Sequence, residues 1–287
     1  MKTSLKLVFA LVVILTVLFI ATTMFTLSLD AQKNKKICCL YAYYEKNEEY
    51  MNNFKFFLEN GILDNVDYYI IINGTCTVDI KNIIKNKNAK VSIHTRENAG
   101  YDFGAYKYLI DNYDLDYDYY FFINTSVIGP YTRGSKWTDE FIALFTDNVA
   151  LVGTSISVLY QAYNIRNYNL SDIFQHQAPF THVQSMMFGV KRDFFKFLKQ
   201  NFFKTDFDGF TDMADTVIYG EIALSQIALK NGWNINSVLP NYKNKDYINL
   251  KNMYSFFLSG DPYLYREIVD KNDIIFIKSW YKNANNM

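Results

Sequence analysis

The sequence predicts an α/β protein with a mostly parallel, doubly wound sheet, preceded by one N-terminal transmembrane helix. Three observations carry this. Five short apolar runs alternate with helical patterns between residues 36 and 155, which is the rhythm of strands joined by crossover helices. No internal repeat, low-complexity tract or Pro/Gly linker interrupts residues 37–287, so they are expected to form one domain. Ahead of them lie 23 uncharged residues, Leu7–Leu29, enough to cross a bilayer with some tilt.

The elements follow in order. Lys36–Tyr43 reads as a buried first strand. Met51, Phe54, Phe57 and Leu58 give Glu48–Asn60 a helical period that ends before Gly61. Asp67–Asn73 is a second strand, Ile80–Asn86 a short helix, and Lys90–Thr95 an alternating third strand. A helix from Phe103 to about Tyr113 leads to strand four, Tyr117–Ile123. Trp137–Phe145 is helical and Ala150–Ser155 is a fifth strand. Beyond it the regularity decays, leaving a strand at Val183–Val190, helices at Arg192–Phe203 and Thr216–Asn231, and a last apolar run, Asp273–Lys278.

The expected organisation is a short tail (1–6), an anchor (7–29), a stem (30–36) and a single domain (37–287). Signal-peptide apolar regions run to only about 7–15 residues and end in small residues. Thr26-Leu-Ser28 is a poor version of such a site, so the anchor is read as uncleaved. Lys2 and Lys6 before it are balanced by Lys33, Lys35 and Lys36 after it, so charge does not set its orientation. With the folded mass after the span, the chain reads as single-pass, and lumen-facing in a Golgi- or ER-type compartment. Three sequons, at Asn73, Asn124 and Asn169, are compatible with that.

Lys+Arg and Asp+Glu number 29 each, so no basic excess points to nucleic acid. Three cysteines make no disulfide framework, and no Cys/His spacing resembles a zinc site. No Gly-x-Ser-x-Gly elbow and no phosphate-binding Gly-x-x-x-x-Gly-Lys-Ser/Thr loop is present.

Two loops carry the candidate chemistry. In an open α/β sheet, loops at the carboxyl ends of neighbouring strands converge on one crevice. The first loop, Asn98-x-Gly100-x-Asp102-x-Gly104, opens onto a helix. Its glycines permit positive φ and close backbone approach, and a helix start favours anions. Asp102 stands where an N-cap belongs; spacing alone leaves it as a cap or a ligand group. The second loop, Asn124-Thr-Ser126, ends strand four where a paired carboxylate would hold a metal on a diphosphate. Neutral Asn and Ser are poor Mg²⁺ or Mn²⁺ ligands, which leaves the metal open. Asp114, Asp116 and Asp118 lie at the other end of that strand, roughly 20 Å away. Asp206-x-Asp208 follows a helix in a polar loop.

On the acceptor side, Glu221 opens a helix and is the candidate base, with Asp212 and Asp215 as alternatives. His182, Gln184 and Ser185 are placed by position to meet an acceptor. Trp137 and Trp233 could stack a sugar or pack the core.

The blocks RENAGYDFGAYKYL, DYYFFINTSVIGPY, HVQSMMFGVKRDFF and GEIALSQIALKNGWNI resemble GT-A-type glycosyltransferases. They are nearest to the rhamnan-synthesis protein F family and related glycosyltransferase-like proteins of large viruses and algae. They cover roughly residues 37–280. The resemblance implies a GT-A-like fold, a nucleotide-sugar donor, and inverting transfer to a glycan or glycoconjugate acceptor, rhamnosyl-type in the nearest family. By that analogy Asn98 and Asp102 lie at the donor, Asn124 and Ser126 replace the Asp-x-Asp pair, and Glu221 matches the general base. Gly220 stands where the family usually has a second acidic residue. Both departures keep a second reading in view, a glycan- or nucleotide-binding protein on the same fold that no longer catalyses.

Overall fold

The computed structural model describes residues 13–20, 22, 35–131, 134–159, 164–165, 168–176, 178–249 and 273–279. It divides into residues 1–36 and residues 37–287. In the first unit residues 13–20 are helical. Most of the expected Leu7–Leu29 span lies outside the described residues. Among the described residues, no helix is long and apolar enough to cross a membrane.

The second unit is built on a seven-stranded sheet. In chain order its strands are β1 (Ile37–Tyr43), β2 (Val66–Asn73), β3 (Val91–Arg96), β4 (Tyr119–Asn124), β6 (Val149–Gly153), β11 (Met187–Lys191) and β12 (Asn234–Ser237). Short two-residue pairs lie outside it: β5 (Val127–Ile128) with β13 (Ile277–Lys278), β7 (Ile156–Ser157) with β10 (His182–Val183), and β8 (Asn164–Ile165) with β9 (Tyr168–Asn169). The spatial order is β12-β6-β11-β4-β1-β2-β3. β11 runs antiparallel to both its neighbours, β4 and β6; the other pairings in the sheet are parallel. The mostly parallel sheet therefore stands as expected.

Burial from both faces explains the apolar run of β1, every residue of which is buried. On one face lies α1 (Glu48–Asn60), capped by Asn47, whose side chain accepts from the Tyr50 N–H. Phe54 and Phe57, one turn apart, meet Tyr41 with ring centroids 5.1 and 4.7 Å away. Trp137, opening α4 (Trp137–Ile142) after the short α2 (Ile80–Ile84) and α3 (Tyr101–Asn112), covers Phe121 on this same face. Trp137 is fully buried and its indole N–H donates to the Gly61 carbonyl at 2.9 Å, so it is a core residue and not a sugar platform.

On the opposite face Phe122 lies between Tyr106 of α3 and Phe188 of β11, at 5.0 and 4.6 Å. Beyond α5 (Leu170–Phe174), α6 (Arg192–Asn201) lays Phe195 on Tyr120 at 3.7 Å. Trp233 packs on Phe194 and Phe197. A further helix, α7, is assembled from an α turn (Met213–Asp215), a π-helical segment (Thr216–Ile222) and an α segment (Ala223–Lys230). A second, smaller core of Leu170, Phe180, Ile218 and Ile222 joins its π segment to the region after β7.

Three expectations shift. The strand expected over Val183–Val190 is two strands, β10 and β11, broken at Gln184–Met186. β12 is not foreseen by the sequence, because Asn-Ile-Asn-Ser reads as polar. Its asparagines face a loop: Asn234 donates to the Lys245 carbonyl and accepts from the Tyr247 N–H, and Asn236 accepts from the Asn244 N–H. The helix expected from Phe103 begins at Tyr101.

Phe122 is fully buried between two aromatic neighbours, so Phe122→Ala should cost about 3–5 kcal/mol of stability. Urea unfolding of the two proteins measures it; a loss under about 1 kcal/mol would mean that the α3 face repacks freely.

Candidate functional site

The chain moves outward from β1 to β2 and β3, then returns to place β4 on the other side of β1. The strand order thus reverses between β1 and β4, and the crevice outside their carboxyl ends is where such sheets bind ligands. Thr125 closes the floor of this crevice. Its hydroxyl accepts from the Tyr44 N–H at 3.0 Å and donates to the Ala42 carbonyl at 3.2 Å, while Asn53 donates to its carbonyl at 3.0 Å. Beside it the Tyr44 side chain is exposed. Glu45 accepts from the Tyr43 hydroxyl and from both the backbone N–H and hydroxyl of Thr77, tying the β1 end to the β2 end. Burial pushes its carboxyl up, but those hydrogen bonds and Lys55 outweigh it and leave it below the ordinary range. Sequence reasoning missed Tyr44 and Glu45; being the first polar groups past a buried parallel strand was the signal.

The loop after β3 is held by close approach. Gly100 has φ 64 and forms the N-cap position of α3, with no side-chain cap. A Cβ there would meet the Phe207 carbonyl, and one on Gly104 would sit 2.5 Å from the Ala99 oxygen and 2.7 Å from an Asp208 carboxylate oxygen. Both glycines are accounted for by the packing of residues 206–209 across the helix start. Asp208 also accepts from Arg96 Nη2 at 2.7 Å, so Asp206-x-Asp208 buttresses this loop. Tyr101 also has positive φ, 54, unusual for a residue with a side chain. Asn73 donates to its carbonyl at 3.1 Å. Asn98 is exposed.

Asp102 is corrected from N-cap to the second helical residue, because the αL turn at Gly100 and Tyr101 starts the helix early. One carboxylate oxygen accepts from Asn124 Nδ2 at 2.8 Å. The oxygen of the Asn124 amide accepts from both the Ser126 N–H, at 3.0 Å, and the Ser126 hydroxyl, at 2.6 Å. The two loops read as separate in sequence are therefore one hydrogen-bonded unit. Burial raises the Asp102 carboxyl to about 6; the Asn124 hydrogen bond opposes this and the negative charge of Glu221 adds to it.

Glu221 enters from α7. Its Oε2 accepts from the Ser185 N–H at 2.7 Å and the Ser185 hydroxyl at 2.8 Å. Its Oε1 lies 3.7 Å from His182 Nε2. Gln184 bonds Ser155 through its side chain and donates its backbone N–H to the Ser155 carbonyl. Glu221 sits in the π segment, a form that recurs at functional sites. Gly220 has a physical reason: a Cβ there would lie 2.6 Å from the Phe103 ring. The missing side chain at 220 makes room for Phe103, the residue next to Asp102. The alternatives to Glu221 are occupied, since Asp212 caps α7 through the Ala214 N–H and Asp215 accepts from the Tyr168 hydroxyl.

The other residues singled out by the sequence have partners or positions of their own. Arg192 pairs with Asp116 at 2.6 Å and Asp118 at 3.0 Å, at the far end of β4. Asn73 is buried and Asn124 is bonded to Asp102; Asn169 is exposed at the start of α5. Cys38, Cys39 and Cys76 are free. Among the described residues no three His, Cys, Asp or Glu side chains converge to hold a metal ion. The Asn124 amide turns its nitrogen to Asp102 and its oxygen to Ser126, so these residues do not fit a metal cage.

Two outcomes test this geometry. The folded Asp102 titrates at about 6 against 3.8 for the ordinary group, so the folded state binds this proton more tightly than the unfolded one. Its contribution to stability is complete below about pH 4 and is lost as pH rises through about 6. Melting temperatures across pH 4–7 should show this fall in the native protein and lack it in Asp102→Asn; parallel curves would contradict it. Gly220→Ala should lower stability by about 1–3 kcal/mol through overpacking, exceeding the roughly 1 kcal/mol of helix propensity that alanine gains. Calorimetry decides which effect wins.

No family model matches the chain, and comparison with curated proteins finds no match. Among solved structures it is similar to a mannosyltransferase of Pyrobaculum calidifontis in complex with GDP-Man and Mn²⁺. That likeness has 9% identity and a TM-score of 0.45, over 71% of this chain and 54% of the other. It is similar also to the glycosyltransferase GlyE of Streptococcus pneumoniae, in two structures, each at 9% identity and a TM-score of 0.41, over 70% of this chain and 45% of the other. The chain spans about half the length of the structures it matches.

Proposed function

We propose that the chain is a glycosyltransferase that moves a sugar from a nucleotide-sugar donor to a hydroxyl of a glycan or glycoconjugate, with inversion. The observation that carries this reading is the meeting of Asp102, Asn124 and Glu221 at the carboxyl ends of β1 and β4. Asn124 donates to Asp102, and the Asp102 carboxyl feels the Glu221 charge.

The donor lies over the β1–β4 crevice. The Tyr44 ring offers a face for the base, since aromatic side chains stack on flat rings at little entropic cost. Asn98 and Asp102 take ribose hydroxyls, Asn124 and Ser126 take donor oxygens, and the start of α3, with Gly100 and Gly104 holding its shape, favours the diphosphate. His182, Gln184 and Ser185 line the acceptor side.

In the reaction the acceptor oxygen attacks the anomeric carbon opposite the leaving group. The new C–O bond forms as the bond to the diphosphate breaks, and that electron pair leaves with the nucleoside diphosphate. The acceptor proton goes to Glu221 Oε1. Ser185 holds Oε2 with two donors, which leaves Oε1 as the oxygen that faces the proton.

Finer assignments belong to the same proposal. The family resemblance supports a rhamnosyl-type sugar. The uncharged run Leu7–Leu29 supports a single-pass membrane anchor with the body in a Golgi- or ER-type lumen. A divalent ion, if the donor brings one, would be held mainly by the diphosphate.

Glu221→Gln should reduce transfer or donor hydrolysis by about 10²–10⁴-fold and leave donor binding intact. Binding is read as the rise in melting temperature on adding UDP, dTDP or their sugars. Undiminished turnover would remove Glu221 from the mechanism. A native protein that binds donors but neither transfers nor hydrolyses them would favour the binding-protein reading.

A further inference from the structure

We propose that His182 is a positioning residue that acts through Glu221, the two side chains forming a dyad that carries the acceptor's proton away from the reacting hydroxyl. This rests on the transferase reading above and names a group that reading does not require.

The argument starts from which atoms can hold hydrogen. His182 Nδ1 lies 2.9 Å from the Phe180 carbonyl oxygen. A carbonyl only accepts, so Nδ1 is the donor and carries the hydrogen; the tautomer follows from the partner. In the neutral ring Nε2 then presents a lone pair, and what it faces at 3.7 Å is Glu221 Oε1. Two acceptor atoms facing each other in a buried setting are unfavourable, and one proton between them removes the conflict. The His182 and Glu221 side chains are only 5% and 15% exposed.

The surroundings make the pair directional. Ser185 occupies Glu221 Oε2 with two hydrogen bonds, so Oε1 is the oxygen left to take a proton. The imidazole is fixed by its backbone on both sides. The Phe180 N–H donates to the Leu159 carbonyl, the Val183 N–H to the Ser225 hydroxyl, and the Gln184 N–H to the Ser155 carbonyl. The Phe180 ring is fully buried in the second core, so the carbonyl that sets the tautomer is itself held. Glu221 in turn is close enough to Asp102 for its charge to raise the Asp102 carboxyl, so the dyad stands at the same crevice as the donor-side loops.

The balance is simple. The acceptor O–H breaks and its proton passes to Glu221 Oε1, then to His182 Nε2. This leaves a carboxylate and an imidazolium whose Nδ1–H still bonds the Phe180 carbonyl. The imidazolium returns the proton to water when product leaves. No oxidant or co-reactant is needed.

The full chain tests this with two substitutions. His182→Asn keeps a side-chain N–H where Nδ1 donates, and so preserves the Phe180 bond, but has nothing at Nε2. His182→Ala removes both and leaves a space that added imidazole fits. Donor turnover is read as nucleoside diphosphate released from UDP-glucose or dTDP-rhamnose, and donor-induced thermal shift checks the fold. We expect kcat to fall on the order of 10- to 100-fold in both variants, with donor KM unchanged. Imidazole should restore part of the rate in His182→Ala only. A His182→Asn protein with native kcat, or a folded His182→Ala protein that imidazole does not help, overturns the dyad and leaves the transferase reading standing. A native protein that turns over no donor overturns both.

Discussion

The contact on which the site depends is the Phe103 ring against Gly220. One residue along the chain from Phe103 is Asp102, and one from Gly220 is Glu221. The first pair opens α3 beside β1 and β2; the second lies in the π segment of α7. With no side chain at 220 the two helices approach until a Cβ would lie 2.6 Å from the ring. That approach sets the spacing between the Asp102 and Glu221 carboxyl groups. Phe103 is fully buried and stacks also on Phe207 at 5.4 Å. The same ring therefore links α3, α7 and the loop that buttresses Gly100 and Gly104. Close packing makes such a junction sensitive to single methyl groups.

Electrostatics set the terms on which Asp102 and Glu221 share one crevice. Asp102 is already pushed up by burial, and Glu221 raises it further. An acidic side chain at 220 would collide with Phe103 and would add charge next to a carboxyl that already holds its proton more tightly than usual. Anions gathered in a poorly solvated site raise one another's pKa, and the diphosphate of the donor proposed above would add more. The chain answers with neutral groups at Asn124 and Ser126 and with a histidine behind Glu221.

Much of this was legible in the sequence. The first five sheet strands fell near their expected positions, because buried parallel strands leave long apolar runs and helices leave a period that glycine ends. The two loops were legible as polar stretches at strand ends. The hydrogen bond that joins them was not, since Asp102 and Asn124 are 22 positions apart and no local rule links them. β12 escaped for the opposite reason. Its Asn234 and Asn236 are buried and satisfied by the loop that follows the strand, so a polar pattern hid a buried strand. The αL pair Gly100–Tyr101 moved the helix start back and took Asp102 out of the cap position. Spacing gave no sign of it, because a tyrosine at positive φ is not what a sequence pattern would propose.

The partners of His182 show how tertiary context assigns a role that residue type alone leaves open. A lone histidine in a buried strand is ordinarily a satisfied core group, and by its Nδ1 this one is. What separates it from that default is the second nitrogen, which faces a carboxylate already held on its other oxygen. Ser185 stands three positions after His182, inside the break between β10 and β11. That break turns the Ser185 N–H away from strand pairing and onto Glu221. Had Val183–Val190 formed one unbroken strand, as its composition suggested, that N–H would have been available to the ladder instead. The interruption in the sheet and the setting of Glu221 are thus one feature, set by where the backbone stops pairing with its neighbours.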